Sequence, residues 1–308
     1  MKQNQTVATV IVTYNRLELL KRCLIALSKQ KISPTSILVV DNASIDETRT
    51  WLSEWLPKNL PSAELIALPD NRGGAGGFSE GLRVAIDRGS DWVWMMDDDA
   101  EPHPDALAEL METADDPSNV YSSLATKGTE TSWTTTLLDP TIHVTNRIAD
   151  VPSKARVQSL PFLGFLIHRK LVMKVGLPDT EYFIAADDVE YCKRVERAGA
   201  QLFIAGRSHI EHPKADYHEV QLLGHTLTCL RLAPWKRYYD TRNRLLIARE
   251  YYGIRLFTQT IPGSLVRLFV VLIKEPRKFA QIWAFTAGMV DGLIGLKGKR
   301  HVKWGIPQ

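Results

Sequence analysis

Three consecutive carboxylates, Asp97, Asp98 and Asp99, close a short apolar run, Trp92-Val93-Trp94-Met95-Met96. Crowded like charges repel unless a cation or water separates them. A run of this length suits a strand buried on both faces, and acids at its end belong where a sheet opens to a ligand. Two readings are open, a solvated acidic turn and a divalent-metal site, and the position directly after an apolar strand favours the second. A further acidic set, Asp187-Asp188 with Glu190, leads into helical spacing at Val189, Cys192 and Val195 or Glu196. Capping and the helix dipole explain one such acid; two plus Glu190 exceed that need. A buried pair beside a substrate lets one acid orient the site while the other takes a proton. His209 and His212 bracket the end of a later apolar run, and one of them is a candidate ligand for a cation at the triplet.

Delivering these groups to one place needs a sheet whose strands end together. Val7–Thr13 reads as a buried strand followed by Tyr14-Asn15-Arg16, and Leu17, Leu20, Leu24 and Leu27 recur at helical spacing. Ser36–Val40 repeats the strand pattern and ends at Asp41, with Asp46 placed to cap a helix through Trp51 to Leu56. A third strand, Glu64–Leu68, leads to Asp70-Asn71-Arg72-Gly73-Gly74-Ala75-Gly76-Gly77 and a helix from about Phe78 to Arg88. Strands alternating with helices imply an α/β fold with a mostly parallel, Rossmann-like sheet, whose ligand site lies beyond the carboxyl ends of the strands. Asn15, Asp41, Asn71 and Asp97 all fall at such ends.

The glycine cluster reads either as a flexible loop or as backbone able to approach a phosphate or sugar. It lacks the lysine and hydroxyl of a P-loop and the strict GxGxxG spacing. Beyond the triplet, Leu107 and Leu110 mark a helix, and residues 115–156 form a polar, threonine-rich excursion. Its Trp133 and His143 are open between acceptor contact and packing. Leu160–Ile167 and Gln201–Ala205 are further strands, Gly176 closes a short helix begun near Leu171, and Gly199 ends the helix carrying the second acidic set.

The 308 residues, 44% hydrophobic and 24% charged, suit one large globular domain or a domain with an appendage. A net charge of +3 provides no field for nucleic acid. Cys23, Cys192 and Cys229 are scattered without metal or disulfide spacing, which points to a reducing, cytoplasmic compartment. The N-terminus lacks a signal-peptide pattern, and no run of about 18 uninterrupted apolar residues suggests a spanning helix.

The ordered set VIVTYNR, VVDNASIDET, DNRGGAGGF, WMMDDDAEP, and ADDVEY followed by HIEH resembles family 2 glycosyltransferases of the GT-A fold. It covers roughly Val7 to His212, and within that class looks most like bacterial galactofuranosyltransferases, with rhamnosyltransferases as close relatives. The resemblance implies an inverting, nucleotide-sugar-dependent enzyme, UDP-sugars being the favoured donors. It places Thr13, Asn15, Arg16, Asp41, Asn71, Gly73, Gly74, Gly76, Asp97 and Asp98 against the nucleotide-sugar. Asp97, Asp99 and His212 would hold Mn2+ or Mg2+, and Asp188 would be the general base. His212 is preferred to His209 because its interval from Asp188 is that of the galactofuranosyl relatives. Trp133, Phe165, Asp187 and Glu190 are candidate acceptor contacts. Ala185-Ala186 departs from the bulky aromatic that relatives often carry before the acid pair, and the absence of large flanking domains suggests addition of one or a few sugars. The rival readings are a dTDP-rhamnose transferase and, in another class, a silent nucleotide-sugar-binding scaffold.

From Asp216 onward the strand pattern stops, so a catalytic domain over residues 1–215 and a helical region over 216–308 are expected. Trp235 to Arg244 is basic and aromatic, either a solvated helix face or a contact for a donor diphosphate or an anionic lipid-linked acceptor. Leu265–Ile273 and Phe279–Leu296 are apolar with interrupting cations, Arg267, Lys274, Arg277 and Lys278. Such helices suit peripheral attachment to the inner membrane face, a homo-oligomer interface, or packing on the catalytic domain.

Overall fold

A computed structural model describes residues 5–222 and 224–308, apart from the side chains of Leu222 and His225. The reading of the first residues as lacking a leader lies partly outside that range. Two compact units are present: residues up to Pro178 with Tyr191–Lys214, and Asp179–Glu190 with Ala215–Gln308.

The first unit opens with β1 (Val7–Thr13), α1 (Leu17–Ser28), β2 (Ser36–Asp41), α2 (Thr48–Asn59), β3 (Ala63–Ala67), α3 (Gly73–Asp87) and β4 (Trp92–Asp97). There follow β5 (Glu101–Pro102), α4 (Ala106–Thr113), β6 (Val120–Lys127), β7 (Glu130–Leu137), β8 (His143–Arg147), β9 (Ala155–Arg156), β10 (Phe165–His168) and α5 (Arg169–Val175). The helix α6 (Asp187–Arg197) leads to β11 (Leu202–Glu211). The sheet runs β3-β2-β1-β4-β10-β6-β11-β5. β1 is parallel to β2 and β4, β10 is antiparallel to β4 and β6, and β11 is parallel to β6. Succession therefore reverses between β1 and β4, and the crevice outside their carboxyl ends is where such sheets take ligands.

Period-two alternation explains why these runs become strands. Ala8, Val10, Val12, Val93 and Met95 join Phe78 and Leu82 of α3 on one face. Val7, Ile11, Trp92, Trp94 and Met96 join Leu20 and Leu24 of α1, with Leu107 of α4, on the other. Burial on both faces is what the apolar run before the acid triplet requires.

Several elements differ from expectation. The α3 helix starts at Gly73, five residues before Phe78, so the glycines form its first turns rather than a loop. A Cβ on Gly77 would lie 2.5 Å from Cγ1 of Val12, and one on Gly81 2.3 Å from Cγ1 of Val10. These two glycines let the helix pack directly on β1, which overrides their poor helix propensity. The polar excursion supplies β6, an interior strand, and β11 extends to Glu211 through an irregularity between Ala205 and His209.

Strands also return after Asp216: β12 (Tyr217–Leu222) and β13 (His225–Leu230) form an antiparallel hairpin. The helices α7 (Pro234–Tyr251), α8 (Ile261–Lys274) and α9 (Lys278–Ile294) complete the second unit. Gly288 and Gly292 let α9 approach α7, since added Cβ atoms would meet Tyr238 O at 2.5 Å and Leu245 Cβ at 2.8 Å. Contrary to the expected division, residues 179–190 pack with this unit. Leu256–Lys274 is long and apolar enough to cross a membrane by length and composition, despite Arg267.

Gly81→Ala should lower stability by about 1–3 kcal/mol through overpacking on Val10. The midpoint of urea unfolding checks this; an unchanged midpoint would show that the helix can shift without penalty.

Candidate active site

At the carboxyl end of β4 the three acids part company. Asp98 is 3% exposed, and its Oδ2 accepts from Thr13 Oγ1 at 2.8 Å, joining the ends of β1 and β4. Arg16 Nη1 lies 3.3 Å from Asp98 Oδ1 and 3.2 Å from Asp99 Oδ2. Burial pushes the Asp98 carboxyl up to about 6, against the pull of Arg16 and Thr13. Burial also works against the Arg16 cation, but Asp98, Asp99 and Asp97 together hold its pKa above the ordinary value.

Asp99 faces a different partner. His212 Nε2 stands 3.3 Å from Asp99 Oδ1. That contact lacks hydrogen-bond geometry, so Asp99 Oδ1 is buried without a hydrogen-bond partner, as is His212 Nδ1. Burial alone would raise the Asp99 carboxyl; the adjoining imidazole and Arg16 outweigh it and hold it below the usual range. The histidine is held from behind: its amide donates to Thr126 O at 3.0 Å, its carbonyl accepts from Ser132 Oγ at 2.9 Å, and Trp133 stands edge-on to its ring at 5.6 Å. Trp133 is thus placed as a support for His212. His209 instead contacts Gly206 O at 2.8 Å and the His103 ring.

Asp99 Oδ1, buried without a hydrogen-bond partner, and His212 Nε2 stand 3.3 Å apart, the spacing of one edge of an octahedral cation site, since ligands about 2.1 Å from an ion lie roughly 3 Å from each other. Among the described residues no three His, Cys, Asp or Glu side chains already converge, so the expected triad of Asp97, Asp99 and His212 is not assembled as such. Mg2+-like ions commonly take one or two protein ligands and complete their shell with substrate phosphates and water, which explains an incomplete set.

The remaining strand ends are fixed by side chains that cross between loops. Asn15 sits at φ 53, donates its amide to Ser44 Oγ at 2.9 Å and accepts from Ile45 N at 2.8 Å. Asp41 is fully buried, engaged by the Ser44 amide and by Arg49 Nε. The half-exposed Arg49 therefore forms the surface there, in place of the carboxylate. Asn71 Oδ1 accepts from Gly73 N at 2.8 Å, and Asn42 accepts from Arg72 N and donates to Gly73 O, tying the entry of α3 to β2. Gly73 takes φ 71, and Gly76 is closed against Arg72 Cβ, so both serve the helix entry; Gly74 is partly exposed in the same turn. Phe165 has no exposure and packs between Phe162 and Tyr191, a core position that corrects its assignment as an acceptor contact.

In the second unit, the chain reaches Asp187 through three left-handed residues, Phe183 at φ 67, Ala185 at φ 69 and Ala186 at φ 59. Non-glycine residues adopt this conformation only when held, at about 1–3 kcal/mol each. Asn243 Nδ2 does so by donating to the carbonyls of Tyr182 (3.0 Å), Ile184 (3.0 Å) and Ala185 (2.6 Å). Arg242 Nη2 donates to Glu181 O and Tyr182 O at 3.1 and 2.9 Å. Both residues are fully buried, so the basic stretch of α7 is neither a solvated face nor, at these two positions, a ligand contact. The pair Arg242-Asn243 was missed as a brace, since its partners lie about 60 residues away.

The loop so held delivers Asp187 and Asp188, both part-buried, to the first turn of α6. Burial raises both carboxyls. Asp187 rises further because Asp188 stands beside it, while the Val189 amide and Arg244 pull Asp188 back. Glu190 is buried and accepts from Tyr251 Oη at 2.9 Å.

A β3-β2-β1-β4 sheet with acids, a cation-ready carboxylate–imidazole pair and a helix N-terminus at its carboxyl end defines the class: a glycosyltransferase of GT-A fold. The family model described as Glycosyl transferase family 2 matches residues 9–175, more than half of the chain, and the chain belongs to that family. It is 29% identical over 266 residues to galactofuranosyltransferase GlfT1 of Mycolicibacterium smegmatis, covering 79% of this chain and 83% of that one. It is 23% identical to dTDP-rhamnosyl transferase RfbF of Shigella flexneri, over 96% and 98% of the two chains. Among solved structures, mannosyltransferase PcManGT of Pyrobaculum calidifontis in complex with GDP-Man and Mn2+ superposes with TM-score 0.59 at 17% identity, covering 94% and 88%. GalNAc-T7 with UDP, GalNAc and Mn2+ gives TM-score 0.64 at 14% identity, the whole chain spanning 59% of that structure's length.

Asn243→Ala removes three hydrogen bonds from the strained loop. Turnover should fall at least about tenfold with donor KM nearly unchanged, on the expectation that misplaced reacting groups lose rate before binding. A proportionate change in both parameters would contradict a brace specific to the acid pair.

Proposed function

We propose that the chain transfers galactofuranose from UDP-galactofuranose, with inversion, to a hydroxyl of a lipid-linked or polysaccharide acceptor in the assembly of a bacterial cell-surface glycan. The observation that carries the reading is the orphaned Asp99–His212 pair at the carboxyl end of the sheet. Similarity to GlfT1 over most of both chains supports the choice of sugar. In the reaction the acceptor oxygen bonds to the anomeric carbon while the bond from that carbon to the diphosphate breaks. The electron pair leaves with UDP, and the acceptor proton passes to Asp188. One displacement inverts the centre, so no enzyme nucleophile is required.

Charge grows on the departing diphosphate. Asp99 and His212, with Asp97 as the further expected ligand, would hold a divalent ion, which would supply Lewis-acid neutralisation there. Arg16 places a cation beside the same acids, and the N-terminus of α3, where Gly74 is partly exposed, turns a helix dipole toward phosphate or sugar. Asp98, buried on Thr13 and Arg16, fixes this corner and faces the donor.

Transfer of rhamnose from dTDP-rhamnose is the second reading, favoured by the near full-length match to RfbF. Attachment to the inner membrane face is supported by Leu265, Val266, Phe269 and Ile273 of α8 and Phe279 and Trp283 of α9, all exposed, with Lys274, Arg277 and Lys278 between the helices. Association of two copies through the same helices competes with it. Anionic liposomes should sediment the chain, and complete exclusion would favour the paired form.

Release of nucleoside diphosphate, measured over a panel of donors with Mn2+ or EDTA, tests the assignment. UDP-galactofuranose should be the best donor and EDTA should abolish turnover; preference for dTDP-rhamnose selects the second reading, and metal-independent release refutes the ion's role. Asp188→Asn should reduce turnover by about 10²–10⁴-fold with UDP binding retained. A base acts deprotonated, and the Asp188 carboxyl is raised by burial, so wild-type rate should fall on acidification at a pH above the usual carboxylate range. A profile flat down to about pH 4.5 would sink Asp188 as the base.

A further inference from the structure

Arg242 and Asn243 account for one side of α7. Arg237, Asp240 and Arg244 recur at three- and four-residue intervals and so share another face. Asp240 is 6% exposed; Arg244 Nε donates to its Oδ1 at 2.8 Å, and Arg237 Nη1 lies 3.9 Å from its Oδ2. Arg267 of α8, whose Nη2 donates to Ser264 Oγ at 2.8 Å, lies a turn before Val270 and Val271, which pack on Cys229, the residue that Arg237 also contacts. Two guanidiniums thus stand on one carboxylate with a third on the neighbouring helix, and burial with the charges of Arg244 and Arg237 depresses the Arg267 pKa.

This excess is not what a structural cluster needs. Arg244 alone satisfies one oxygen of Asp240, whereas Arg237 is 2% exposed with its Nε buried and unpartnered. Its other nitrogens donate to Leu230 O at 2.6 Å and Cys229 Sγ at 3.2 Å. Cations held together out of water repel and lose hydration unless an anion joins them. Arg244 and Arg267 are part-exposed and therefore open to such an anion. Arg244 also feels the charge of Asp188, which places the cluster within electrostatic range of the candidate base. The helix that carries Arg267 exposes Leu265, Val266, Phe269 and Ile273.

We propose that Arg244 and Arg267, backed by the buried Arg237, form an anion subsite that takes the phosphate or diphosphate of a lipid-linked acceptor. Bidentate guanidinium forks suit phosphate oxygens. The apolar face of α8 receives the lipid adjoining that phosphate, and the acceptor hydroxyl is left to Asp188. The proposal deepens the glycosyltransferase reading and rests on it for the identity of the ligand as acceptor. Binding is measurable without turnover, so the subsite and the Asp188 assignment can fail separately.

The test is calorimetric titration of the full chain with inorganic pyrophosphate in EDTA, where the diphosphate of the donor lacks its ion. Wild type should bind, Arg244→Gln/Arg267→Gln at least tenfold more weakly, and Asp99→Ala like wild type. Equal binding by wild type and the Gln pair, or loss in Asp99→Ala, would overturn the subsite. Without ligand Arg267→Gln alone should melt no lower than wild type, because a repulsion has been removed and no bond to Asp240 is lost; a lower melting point marks a merely structural role for Arg267. Should the Gln pair not fold, Arg267→Gln alone and Arg244→Lys/Arg267→Lys decide, the first losing pyrophosphate and the second, which keeps the charge without the fork, binding more weakly than wild type but more tightly than the first. Phosphatidylcholine vesicles doped with polyisoprenyl phosphate or with phosphatidylglycerol separate the sources. Retention only on the former, lost in the Gln pair, supports the acceptor; equal retention on both assigns the anion to membrane headgroups and overturns it.

Discussion

Repulsion among Asp97, Asp98 and Asp99 at the end of β4 is the constraint on which the first unit depends. Such a triplet persists only if its charges are answered, and for Asp98 and Asp99 the partners come from distant segments. β1 brings Thr13 and Arg16 to Asp98, while β6 and β7 hold His212 against Asp99. Close packing of α3 on β1, through Gly77 and Gly81, sets the position of the β1 end that makes this possible. The contact of Asp99 with His212, 3.3 Å apart without hydrogen-bond geometry, has the spacing that suits a cation.

The second unit is built around a different constraint. Phe183, Ala185 and Ala186 hold left-handed backbone that would relax if released. The buried Arg242-Asn243 pair offsets that strain through hydrogen bonds to four loop carbonyls, so the acid pair starts α6 from a fixed geometry. One helix, α7, thereby braces the acids on one side and gathers an excess of cations on another.

The strands and their carboxyl-end residues were legible in the sequence because each rests on a local pattern, apolar alternation or an apolar run followed by a polar stop. The structure sets His212, not His209, beside Asp99, a proximity for which the spacing alone contained no physical reason. The start of α3 was not legible: glycine composition reads as loop, and only the proximity of Val10 and Val12 shows why a helix needs it. The β12–β13 hairpin was hidden by its mixture of polar and apolar residues. The role of α7 was hidden for another reason, since a buried arginine and an exposed one are the same letter until distant carbonyls are placed beside them. Phe165 shows the reverse error, an aromatic given a ligand role that the sheet core accounts for.

The central claim is that the Asp99–His212 pair holds the divalent ion. Electron spin-echo spectroscopy of Mn2+ bound to the full chain with UDP reads it directly. Modulation from a coordinated imidazole nitrogen should appear in wild type and vanish in His212→Ala, while Mn2+ bound to wild type without that modulation would contradict the account.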